Sequence, residues 1–70
     1  MTLKQYIKDT LPTKILSKDN IYTITIHYDN SRVMYYELYK LNSLEFRGSK
    51  LYDLLSYIGN RKIIFNLGEN

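Results

Sequence analysis

The chain has no cysteine and no tryptophan, and its 70 residues include one proline, one histidine and three glycines. Without cysteine there is neither a disulfide to staple the fold nor a thiolate to act as nucleophile or zinc ligand. A single histidine, His27, excludes the paired-histidine spacings of zinc sites, and no Asp-x-Asp-x-Asp-Gly loop offers calcium an oxygen cage. Gly48, Gly59 and Gly68 stand apart from one another, so they form neither a phosphate-binding loop nor a dinucleotide fingerprint and read as turns or caps. The longest apolar run, Val33-Met34-Tyr35-Tyr36, is far short of the roughly 20 residues a membrane helix needs. Met1 to Ile7 lacks the apolar stretch of a secretory signal, so a cytoplasmic location is expected.

What is present argues for a folded chain. Residues of the apolar class make up 44%, which is enough for one core, and 70 residues leave no room for a second domain. Residues 1–70 are expected to form a single small α/β domain, with self-association as the support still open to it. The net charge of +3 and an isoelectric point near 9.2 are mild, and the ten basic residues are interspersed with seven acids. That balance permits nucleic-acid binding without indicating it.

Thr2-Leu3-Lys4-Gln5 is a capping-box pattern, and Leu3, Tyr6, Ile7 and Leu11 follow at helical spacing. A helix over about residues 2–10 is predicted, stopped at Leu11 by Pro12. Thr13 to Asn20 fits either an irregular link or a further helical turn. Ile21 to Tyr28 is β-branched or aromatic for most of its length and reads as a strand, with Tyr22, Ile24, Ile26 and Tyr28 on one face. Asp29-Asn30-Ser31-Arg32 supplies turn chemistry before a second strand, Val33 to Leu41.

The hairpin register follows from burial. A two-residue loop at Asn30-Ser31 would set Ile24 against Glu37 and put a carboxylate among apolar groups. Pairing Tyr28 with Met34 through a three-residue loop instead aligns Ile26 with Tyr36 and Ile24 with Leu38. The opposite face then carries His27–Tyr35, Thr25–Glu37 and Thr23–Tyr39. Leu44 to Arg47 alternates as a third strand. Ser49 is the expected cap of a helix with Leu51, Leu54, Leu55 and Ile58 on one stripe, closed by Gly59-Asn60. Arg61 to Leu67 reads as a last strand. The expected fold is α+β: a small antiparallel sheet of three to four strands with two short helices on one face, in the order α-β-β-(β)-α-β, leaving the other face to water or a partner.

No catalytic constellation emerges. His27 lies in mid-strand without a nucleophile elbow, and Glu37, Glu45 and Asp53 fall on separate elements, so neither an enzyme nor a cofactor or metal is expected. Surface recognition remains. Eight tyrosines is a high number, and tyrosine offers stiff, amphipathic contact area. Tyr35 and Tyr39 are the expected anchors, surrounded by Glu37, His27, Arg32 and Arg47. The same face could instead stack bases, with Arg32, Lys40, Arg47 and Lys50 on phosphates.

Ile, Lys, Asn and Tyr account for 29 of the 70 residues, and alanine is absent, as in AT-rich genomes. With that bias, Tyr28-Asp29-Asn30, the run Leu51-Tyr52-Asp53-Leu54-Leu55-Ser56-Tyr57-Ile58, and Asn60-Arg61-Lys62-Ile63-Ile64 resemble small accessory proteins of phages infecting Gram-positive bacteria. The resemblance implies an inhibitor that masks a surface of a host or defence enzyme, CRISPR effector nucleases among them. Tyr35-Tyr36-Glu37 before a turn, the helix ending in Gly59-Asn60 and the closing Ile63-Ile64 are similar in order to the small dimeric phage inhibitor of uracil-DNA glycosylase. That likeness implies the glycosylase as an alternative target and is compatible with a homodimer. The inhibitor is acidic and imitates DNA, whereas this chain is basic.

Overall fold

A computed structural model describes residues 1–68. The elements are α1 (Leu3–Thr10), β1 (Lys14–Leu16), β2 (Tyr22–Asp29), β3 (Arg32–Lys40), β4 (Ser43–Gly48) and α2 (Leu51–Arg61). The strands form one antiparallel sheet in the order β1-β2-β3-β4, an α+β fold with the order α-β-β-β-β-α.

Helix α1 starts as its capping box dictates. The Thr2 hydroxyl accepts from the Gln5 backbone N–H at 3.2 Å, and the Gln5 side chain accepts from the Thr2 N–H at 3.0 Å. Leu11 ends it in the left-handed region, just before Pro12. Helix α2 departs from expectation at both ends. Its N-cap is Lys50 and not Ser49, with no side-chain cap bond, and the helix runs through Gly59 and Asn60 to Arg61 before Lys62 turns left-handed at φ 56°. Nothing lies within 4 Å of where a Gly59 Cβ would sit, so that glycine is not serving a turn.

The register holds over most of β2 and β3: Ile26 pairs with Tyr36, Ile24 with Leu38, and His27 with Tyr35. At the tip it differs. Tyr28 pairs with Val33, not Met34, and Asp29 with Arg32. Asn30 and Ser31 form a two-residue loop with φ 52° and 67°, the twist that suits a tight hairpin. Met34 is the extra residue of a bulge between the two registers. The tight turn and the apolar alignment therefore coexist, and no carboxylate faces the core.

The segment left undecided, 13–20, contains β1, where Ile15 pairs with Ile24. The expected last strand over 61–67 is not formed. Phe65 alone makes a bridge with Ser17, supported by Lys18 N–H to Ile64 O and Asn66 N–H to Leu16 O, both near 2.9 Å. This tail lies along β1 and drives Phe65 into the core, leaving β4 at the opposite edge of the sheet.

One cluster forms the interior. Ile15, Ile24, Ile26, Tyr36 and Leu38 from the sheet meet Ile7 of α1, Leu54 and Ile58 of α2, and Phe65. Alternation along the strands puts these sheet residues on one face, so Thr23, Thr25, His27, Tyr35, Glu37 and Tyr39 occupy the other. No helix among the described residues is long and apolar enough to cross a membrane.

Candidate interaction face

Three cross-strand rows organise the open face. His27 sits opposite Tyr35 in the first. The second runs Lys14, Thr25, Glu37, Arg47 across all four strands. The third runs Leu16, Thr23, Tyr39, Leu44, because Glu45 is the surplus residue of a second bulge and brings Leu44 opposite Tyr39.

The first two rows are locked together. The His27 and Tyr35 rings stack at 4.2 Å and 18°, and the Arg47 guanidinium lies 4.4 Å from the centre of the Tyr35 ring. Beneath them, Glu37 Oε1 meets His27 Nε2 at 2.6 Å while Oε2 accepts from the Tyr39 hydroxyl at 3.1 Å. The His27 hydrogen bond is the main cause holding the Glu37 carboxyl below its ordinary value. Partial burial opposes it, and Tyr39 and the nearby Arg47 reinforce it. Loss of solvent contact, followed by the Glu37 bond, raises the Tyr39 phenol. A carboxylate on a sheet face, touched by a ring nitrogen and a phenol, is a geometric organiser more than a contact. The Glu37 side chain is 12% exposed, against 38% for His27.

Five of the six expected site residues, His27, Tyr35, Glu37, Tyr39 and Arg47, converge. Arg32 does not. It pairs with Asp29 at the hairpin tip, beyond the Met34 bulge. The third row was not anticipated as part of the site: Leu16 and Leu44 are 46% and 50% exposed and flank Tyr39. Leu44 was legible as the start of an alternating run, but its facing depends on the Glu45 bulge. Leu16 belongs to a strand of three residues, too short for its period to register.

Glu37 orients the His27 imidazole, yet no hydroxyl among the described residues bonds to that ring, so the pair lacks the nucleophile of an acyl-transfer triad. No group of three His, Cys, Asp or Glu side chains among the described residues could hold a metal. No protein-family model, curated protein or solved structure matches the chain.

Proposed function

We propose that the chain is a non-catalytic protein-binding module that docks through the open face of its sheet. The observation carrying this reading is the Leu16–Thr23–Tyr39–Leu44 row, two half-exposed leucines around a tyrosine, beside a pre-ordered Arg47–Tyr35–His27 stack. Contiguous exposed apolar groups beside aromatic and arginine anchors are the usual make-up of a protein interface core. Because Glu37 fixes the rings before contact, little side-chain freedom is lost on binding. Lys14 and Arg47 on this face are offset by Glu37 and Glu45, so it has no excess of cations for a nucleic-acid backbone.

The finer reading is a phage-type inhibitor that masks a surface of a host or defence enzyme in the bacterial cytoplasm, with a CRISPR effector nuclease as the specific target. Its support is the resemblance of the hairpin tip and the α2 region to such accessory proteins. The test is cleavage of target DNA by a purified CRISPR effector nuclease in the presence of the chain. Inhibition that falls at least tenfold with Tyr39→Ala plus Leu44→Asp supports both levels. Capture of another partner that is lost in the same variant keeps the docking face and removes the nuclease. Partner capture unaffected by the variant overturns the face itself. Binding to single-stranded DNA through this face, weakening steeply with salt, would replace the protein partner by nucleic acid.

A further inference from the structure

A cleft of about 290 Å³ lies away from the row of leucines, between the β1–β2 turn and the C-terminal end of α2. Lys18 and Asp19 come from the turn, Arg61 and Lys62 from the helix end, and Tyr22, Ile63 and Ile64 complete the wall. Lys40, the cross-strand partner of Tyr22, places its ammonium 6.0 Å from the centre of that ring. Four cations from four separate stretches of chain therefore surround one aromatic ring.

The only acid in the cleft, Asp19, is turned to structural use: its carboxylate accepts from the Ser17 hydroxyl and from the Ile21 N–H. The charge count is equally one-sided. Outside these four cations and Asp19, the chain has six basic and six acidic residues, so the whole net charge of +3 resides at this one place. Arg61 is partly engaged by its own helix, lying 3.4 Å from the centre of the Tyr57 ring and donating to the Tyr57 carbonyl at 3.3 Å. Lys62 has no side-chain partner among the described residues.

We propose that this cleft binds a phosphate monoester carrying a ring, that is, a nucleotide, either free or at the end of a nucleic-acid strand. A phosphate monoester brings nearly two charges and three acceptor oxygens, which suits cations converging from several directions better than a single carboxylate does. Tyr22 with Ile63 and Ile64 gives the ring a flat and apolar wall. The volume lies at the small end for ligand sites and fits one nucleotide, not an extended cofactor. The site is separate from the open face, whose amides serve as the internal control.

The test is an amide NMR titration of the full chain with adenosine 5′-monophosphate. Saturable shifts confined to residues 18–22 and 61–64 are expected, weaker ones of the same pattern with inorganic phosphate, and none with adenosine. Lys62→Gln and Lys18→Gln, each checked for an unchanged spectrum elsewhere, should weaken binding at least fivefold, and Lys62→Arg should retain it. A 5′-phosphorylated tetranucleotide binding more tightly than its 5′-hydroxyl counterpart and than the mononucleotide assigns the strand end. Equal affinity for the phosphorylated strand and the mononucleotide assigns the free nucleotide. Absence of saturable shifts at these amides, affinity unchanged in both glutamine variants, or equal binding by a tetra-aspartate peptide would overturn the proposal.

Discussion

Glu37 shows how one side chain can make a face out of separate strands. It joins His27 on β2 to Tyr39 on β3, lies across from Arg47 on β4, and is the least exposed of the group. Its folded carboxyl titrates below the ordinary 4.5, so the anion favours the folded state. That contribution is fully present above the unfolded value and is lost as the pH falls through the folded one. Glu37→Gln should therefore lower the Tm at neutral pH. The gap between wild type and variant should stay constant down to about pH 5 and close below pH 4.5. Thermal melts across pH 3–7 measure it, and a gap that does not change with pH would show that the charge contributes nothing. The sequence placed Glu37 on this face but read it as one contact among several. Its shielding arises from three neighbours on two strands, which no local pattern encodes.

Among the elements, the two central strands and α1 were legible because each carries its own instruction. Apolar residues alternate over Tyr22–Asp29, and a capping box precedes α1. Helix α2 was legible in its stripe but not in its ends. Gly59 and Asn60 can stop a helix, but here Ile58 is buried against the core and the helix continues one further turn's worth of charge before Lys62 takes the cap. Glycine inside a helix costs conformational freedom with no return where its missing Cβ faces open space. Gly59→Ala should stabilise the fold by about 0.5–1 kcal/mol, read as a higher urea midpoint at unchanged slope. A lower midpoint would mean that α2 does not extend through this position. The tail was misread for the opposite reason. Ile63, Ile64 and Phe65 look like a strand, yet only Phe65 is buried, and Ile64 stays 67% exposed.

For the whole molecule, the tail closes the core. Phe65 is 6% exposed within the central cluster, and a Cβ at Gly68 would come within 3.4 Å of the Tyr6 ring, so the last described residues touch both β1 and α1. A domain of this size has little stability to spare. Removal of residues 63–70 should abolish the cooperative thermal transition, followed by circular dichroism at 222 nm. A truncated chain that still melted cooperatively would show that β1 and the helices suffice without their cover.

The Met34 bulge has an evolutionary meaning. In most strands, losing one residue rotates everything beyond it by half a period and turns the core outward. Here the chain contains one residue more than its pairing uses, and that residue is 53% exposed. Deleting Met34 would bring Val33 and Tyr35 into direct succession opposite Tyr28 and His27, with every other pair unchanged. The deletion variant should keep the native amide spectrum apart from residues near the hairpin tip, whereas deleting Leu38 should leave no folded protein. Related chains one residue shorter at this point would accordingly be length variants of one hairpin, aligned by a gap at Met34 and by no shift elsewhere.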